Sequence, residues 1–216
     1  CPHHCYGRGD CLQGRCHCDH GYYGESCEPR PSSNSPTLPE SLIDGFEGDL
    51  STSWSSVLGG WASRSCNSMA PFGNGKHLYF GGCGTRSAVT KVLDTRRAGK
   101  VIFVLRIGSL EGIPGCSIDT QGPVNVLDKG VVLQYSLDMG VLWKTINTHD
   151  PAEYRRARRV VYSLPMEARS YGVQLRWWQP LHGDFADQWA IDNVEIDLSD
   201  PKDTSQFEVL HEGDEL

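Results

Sequence analysis

The stretch Val131-Val132-Leu133-Gln134-Tyr135-Ser136-Leu137-Asp138-Met139-Gly140-Val141-Leu142-Trp143 decides the fold. A β-branched and aromatic run that breaks into Asp-x-Gly reads as a strand entering a tight turn, with the Asp side chain bonding turn amides and the Trp packing beneath. Similar runs lie on either side: Val101-Ile102-Phe103-Val104-Leu105-Arg106-Ile107 is β-branched and apolar, and Val173-Gln174-Leu175-Arg176-Trp177-Trp178 alternates. Helical spacing is hard to find. Short strands with Gly-rich connections from Ser41 to about Leu198 predict an all-β fold, most simply an antiparallel jelly-roll sandwich over residues 41–199. A domain of that size buries roughly 70% of its unfolded surface and folds without dense disulfides.

The rest of the chain has a different composition. Of 216 residues, 9 are Cys, 24 Gly and 12 Pro, and the formal net charge is −7. That charge gives no global attraction to nucleic acid or to an anionic membrane. No run of ~18 apolar residues exists, so no membrane span is expected. Six cysteines (Cys1, Cys5, Cys11, Cys16, Cys18 and Cys27) fall within residues 1–28, which hold too few apolar residues for a core. Such a segment is stapled by disulfides, which requires an oxidising compartment and makes the protein secreted or lumenal. Fifteen pairings are open to six cysteines. The chain opens on Cys1 without a leader-like segment, and is expected to be an excised piece of something longer.

The spacing C-x3-C-x5-C-x4-C-x-C-x8-C, ending in Gly21-Tyr22-Tyr23-Gly24-Glu25-Ser26-Cys27, resembles an EGF-like module. That resemblance implies the pairs Cys1–Cys11, Cys5–Cys16 and Cys18–Cys27. Residues 29–40, with four prolines between Pro29 and Pro39, read as a linker. Residues 200–216 are acidic and poor in apolar side chains, and are expected to be a disordered tail.

Ser136 to Trp143 matches the Asp-box pattern S-x-D-x-G-x-x-W. Sialidases carry several such boxes, one per propeller blade; here there is one, in a region too short for six blades. The combination of an EGF-like module, a linker and a sandwich with Asp44-Gly45-Phe46-Glu47, Leu93-Asp94-Thr95, one Asp box, Arg176-Trp177-Trp178-Gln179-Pro180 and Gln188-Trp189-Ala190-Ile191-Asp192-Asn193-Val194 resembles the reelin repeat, in its EGF-like module and second subrepeat. The resemblance implies a structural Ca2+ pinning the first strand to the last, with Glu47 and Asp192 as matching positions and Asp44 and Asp94 as further candidates. It implies a Cys66–Cys116 disulfide, which leaves Cys83 unpaired or intermolecular, as in a disulfide-linked dimer. It also implies secretion into the extracellular matrix, lipoprotein-type receptors as partners, and neuronal migration and positioning as the biology. Those receptors grip lysines, so Lys76, Lys91, Lys100, Lys129 and Lys144 are the candidate contacts.

Other motifs point to adhesion by another route. Arg8-Gly9-Asp10 is an integrin-type signal when displayed on a tight loop. Arg155, Arg156, Arg158 and Arg159 form the densest basic patch, fit for heparan sulfate or, in an extended accessible chain, for proteolytic cleavage after Arg159. Trp54, Trp61, Trp177 and Trp178 could line a sugar platform, although Trp is mostly buried. No nucleophile–base pair or acid–base carboxylate pair stands in a recognisable setting, so a non-enzymatic binding module is expected.

Overall fold

The computed structural model describes residues 1, 5, 8–19, 22–29, 37–64, 75–81, 85–108, 130–180, 188–197 and 207–209. In the N-terminal segment β1 (Gly9–Leu12) and β2 (Arg15–Cys18) form a hairpin, and β3 (Tyr22–Tyr23) pairs with β4 (Glu28–Pro29). The hairpin turns through Gln13 and Gly14, both at positive φ. Disulfides join Cys1 to Cys11, Cys5 to Cys16 and Cys18 to Cys27. Among the described residues of this segment only Cys5 and Cys27 are buried apolar side chains, so the cross-links stand in for a hydrophobic core.

The remainder is a two-layer antiparallel sandwich of β5 (Leu42–Asp44), β6 (Trp54–Leu58), β7 (Gly60–Ser63), β8 (His77–Phe80), β9 (Arg86–Thr90), β10 (Leu93–Asp94), β11 (Lys100–Ile107), β12 (Val131–Ser136), β13 (Lys144–His149), β14 (Arg158–Ser163), β15 (Tyr171–Gln179), β16 (Trp189–Asp197) and β17 (Phe207–Val209). One sheet runs β13-β12-β15-β9-β6 with β10 beside β15; the other runs β17-β14-β11-β16-β8-β7 with β5 beside β16. Sequence neighbours are mostly not sheet neighbours, as a jelly roll requires. Among the described residues the only helical pieces are single 3-10 turns such as Leu50–Thr52 and Met166–Ala168.

Between the layers, Trp177 sits edge-on to Trp54 (5.6 Å) and to Phe103 (5.4 Å), and Trp189 stacks on Phe80 at 3.8 Å. Alternation along β15 sends Val173, Leu175 and Trp177 inward and Gln174, Arg176 and Trp178 to the outer face. The alternation in β16 is broken once. Glu195 opposes Ile102 and Asp192 opposes Val104, leaving one extra residue on β16, and Asn193 adopts φ 45°. This is a β-bulge, and it aims Asp192.

Two segments differ from the sequence expectation. Pro29 pairs with Tyr22 in β4, and the Pro39 carbonyl accepts a 2.9 Å bond from Asp94 N, so both ends of the supposed linker are docked. Within the tail expected to be disordered, residues 207–209 form β17 on the free edge of β14. An edge strand offers unpaired amides and carbonyls, and a short apolar-flanked run fills them.

Candidate functional site

Asp44, Glu47 and Asp192 gather where β5 ends beside the middle of β16. Asp44 is opposite Val194 in the β5–β16 ladder. Its Oδ1 accepts from Phe46 N and its Oδ2 from Trp54 Nε1, each at 2.8 Å. The first bond makes an Asx turn that swings the chain through Phe46 at φ 59°; Phe46 then stacks on Trp54 and leaves Glu47 exposed beside it. Glu47 Oε1 accepts from the backbone of Lys76, and Lys76 Nζ reaches the Glu47 carbonyl at 3.3 Å.

Asp192 is the buried member, 5% exposed, and accepts from Asn193 N at 2.8 Å. Burial, and then the nearby Glu47 and Asp44, push its carboxyl up to about 7 against the pull of that amide. Among the described residues no basic side chain forms an ion pair with any of the three. They are neighbours rather than a closed cage. The only three Asp, Glu, His or Cys ligand atoms among the described residues that lie within 4.8 Å of one another belong to Cys1, Cys5 and Cys16, all held in disulfides.

Asp94 is placed elsewhere. It pairs with Tyr171 in the other sheet, and the Arg96 guanidinium takes both its oxygens, Nε at 2.8 Å on Oδ1 and Nη2 on Oδ2. That hydrogen bonding holds its carboxyl below the usual range. The structure therefore does not bring Asp94 together with Asp44, Glu47 and Asp192, and gives its carboxylate a basic partner.

The adhesion motifs fare differently from one another. Arg8 is 6% exposed, with its guanidinium over the Tyr22 ring at 5.1 Å, and Gly9 and Asp10 belong to strand β1. The tripeptide is therefore part of a hairpin with its Arg tucked in, not a displayed loop. Arg158 and Arg159 lie in β14 between β11 and β17, which leaves no extended accessible chain for a protease; Arg156 is the exposed member of the patch. Trp54 and Trp177 are core, whereas Trp61 is 48% exposed, edge-on to Tyr79. Among the lysines, Lys100 is buried, Lys144 pairs with Glu167 at 3.2 Å and Lys76 holds Glu47, whereas Lys91 is exposed. Cys66, Cys83, Cys116 and Lys129 lie outside the described residues.

The Ser136–Trp143 turn is closed from within. Ser136 Oγ donates to Asp138 Oδ1 (2.7 Å) and accepts from Gly140 N (2.8 Å), and Asp138 Oδ1 also accepts from Leu142 N (2.9 Å). Met139 and Gly140 take positive φ. Trp143 then folds over the outer face, where the sequence had offered Trp178 for a sugar platform but neither Trp143 nor Arg176: its ring covers the Arg176 guanidinium, which also lies against Trp178.

A disulfide-stapled module and a jelly-roll sandwich with a carboxylate cluster where β5 meets β16 define an extracellular β module, since three disulfides require an oxidising compartment. The chain belongs to the Reelin subrepeat B family, whose model matches residues 59–197. A 27-residue stretch is 56% identical to teneurin-3 of Danio rerio and to teneurin-4 of Homo sapiens; it amounts to 12% of this chain and 1% of either teneurin. Similar solved structures include a mutant of the family 29 carbohydrate-binding module CBM29-2 (TM-score 0.47, 9% identity, 76% of this chain and 95% of that one). The cleaved adhesin domain of Lys-gingipain from Porphyromonas gingivalis W83 gives a TM-score of 0.43 at 16% identity, over 73% of this chain and 97% of that one. The CBM22-1 xylan-binding domain of Paenibacillus barcinonensis Xyn10C gives 0.42 at 11% identity, over 75% and 96%. Among the described residues no helix is long and apolar enough to cross a membrane.

Proposed function

We propose that the chain is a non-enzymatic extracellular adhesion module whose strands β5 and β16 are locked by Ca2+, and which engages lipoprotein-type receptors through an exposed lysine. The observation that carries the calcium reading is the meeting of Asp44, Glu47 and Asp192 where β5 pairs with β16, with no ion pair to any of the three carboxylates among the described residues. Like charges brought together and partly desolvated are unfavourable unless a cation joins them. The donors are all hard oxygens, the chemistry Ca2+ prefers. Asp44 and Asp192 are fixed by core and bulge, and exposed Glu47, one of whose carboxylate oxygens accepts from Lys76 N, is the member that would close on the ion with its other oxygen. Lys91, exposed on the β9–β10 connection, is the contact favoured for a receptor with acidic, lysine-gripping pockets.

Calorimetric titration of the EGTA-treated chain tests the first half: Ca2+ binds with one-site stoichiometry, and Asp192→Asn abolishes the heat. No heat in the wild type removes the calcium reading. Binding to an immobilised lipoprotein-receptor ectodomain tests the second half. Loss with Lys91→Ala and retention with Arg8→Ala support it, and undiminished binding by Lys91→Ala removes that contact.

A further inference from the structure

Trp143, Arg176 and Trp178 form a stack on the outer face of the six-stranded sheet. The guanidinium carbon of Arg176 lies 4.2 Å from the centre of the Trp143 ring and 4.7 Å from that of Trp178. Gln134, opposite Arg176 on β12, accepts from Arg176 Nε at 3.0 Å and from its Nη2, and its own amide donates to Thr145 Oγ1 at 3.3 Å. Gln134 is 7% exposed, so the guanidinium is held flat by a buried partner and two rings.

These contacts orient the charge without neutralising it. Asp138 spends its side chain on Ser136 and Leu142, and Glu167 on Tyr135 and Lys144. Among the described residues no carboxylate pairs with Arg176, and burial alone shifts its pKa, downward. A half-buried cation that is positioned, stripped of part of its water and left without a counter-charge is arranged for an anionic ligand.

Both end rings of the stack are half-buried. Trp143 packs against its own turn, where a Cβ at Gly140 would sit 3.3 Å from its ring. Trp178 is half-buried, flanked across the sheet by Val132 and Ser87, with exposed Leu58 opposite Ser87. We propose that this face is a subsite for a sulfated saccharide, with Trp178 stacking on the apolar face of a sugar ring and the outward N–H groups of Arg176 receiving a sulfate on it. An indole offers a flat amphipathic platform, and a planar guanidinium fork matches an oxyanion better than an ammonium does. Both are preset, which reduces the ordering cost of binding. A peptide that adds as a strand needs a free sheet edge, whereas β15 is paired on both sides by β12 and β9. The subsite lies in the sheet opposite the carboxylate cluster and the strand that carries Arg158 and Arg159, so it stands apart from the calcium reading, and it uses none of the residues of the receptor reading.

The test is fluorescence titration and calorimetry of the whole chain with a size-defined heparin octasaccharide, its desulfated counterpart and a chondroitin sulfate octasaccharide. The expected result is binding of at least one sulfated ligand with quenching of Trp emission, weakened at least about tenfold by Arg176→Gln and by desulfation and less than about twofold by Arg156→Gln. Trp178→Ala is expected to lose binding as well. Where circular dichroism shows that variant unfolded, Arg176→Lys, which keeps the charge and both rings, is read in its place and weakens binding by about fivefold. The proposal is overturned by absence of binding to either sulfated octasaccharide, by equal binding of the desulfated one, or by a loss that follows Arg156→Gln and spares Arg176→Gln.

Discussion

The indole N–H of Trp54 donates to Asp44 Oδ2 at 2.8 Å, tying a core side chain to the carboxylate cluster. Trp54 is 3% exposed and wedged between Phe46 and Trp177, so the direction of the Asp44 carboxylate is set by aromatic packing.

Trp54→Phe keeps the ring packing and deletes the donor. A hydrogen bond to a charged group is worth about 1.5–3 kcal/mol, so thermal unfolding is expected several degrees lower. Calcium affinity falls in parallel, because Asp44 loses its orientation. A variant with unchanged melting temperature and unchanged calcium titration contradicts the coupling.

Two buried groups give opposite pH dependences. Without calcium, Asp192 binds its proton more tightly folded (about 7) than unfolded (about 3.9), so its contribution to stability falls as pH rises through that window. The difference in melting temperature between wild type and Asp192→Asn in EGTA therefore changes between pH 4 and 7. His149 behaves the other way. Its Nδ1–H donates to the Val131 carbonyl (2.7 Å), its Nε2 accepts from Tyr162 (3.2 Å), and burial lowers its pKa to about 4, as it does for His77. A histidine held neutral destabilises the fold as pH drops from about 6.5 toward 4, by roughly 3 kcal/mol per ring at the lower limit. In the Asp192→Asn background the melting temperature accordingly declines over that range.

Asp138→Ala removes the acceptor for Ser136 Oγ and Leu142 N and is expected to cost about 1–2 kcal/mol. Gly140→Ala compounds a φ of +89° with a 3.3 Å approach to Trp143 and costs at least as much. Urea unfolding at constant m-value measures both.

In the stapled segment, a Cβ on Gly9 would lie 2.2 Å from the His17 carbonyl oxygen and 2.7 Å from Cys18 Cα, both backbone. Gly9→Ala is expected to force the β1–β2 hairpin apart and to scramble disulfides on oxidative refolding, read out by peptide mapping.

Much of the sandwich was legible because its strands advertise themselves locally. Val101–Ile107 and Val131–Ser136 emerge as β11 and β12 almost unchanged, and Val173–Trp178 extends to Tyr171–Gln179. What brings Asp44 to Asp192 is a pairing between the two ends of the domain, which no local pattern encodes; only the family resemblance reached it. Asp94 was grouped with the other carboxylates by motif alone, and its pairing with Arg96, two residues on, shows only in the structure. The Trp143 stack left half a signal. Period-two alternation already puts Arg176 and Trp178 on one face, but Trp143 joins them only because the turn folds it there. Arg8 was judged by its tripeptide, and its burial depends on Tyr22 returning across the hairpin.

The pairing of β5 with β16 also has a mechanical side. Leu42 faces Ile196, so the strand entering the sandwich and β16 are antiparallel neighbours with their outer ends together, while the chain beyond β16 is tied back to β14 through β17. Tension applied to the chain on either side of the sandwich therefore reaches the β14–β17 ladder first, and once β17 is released it opens the β5–β16 ladder one rung at a time, from Leu42 inward. Asp44 lies at the inner end of that zipper, with Asp192 two residues beyond its Val194 partner, so under the calcium reading an ion between their carboxylates is the stop that limits how far a loaded module peels.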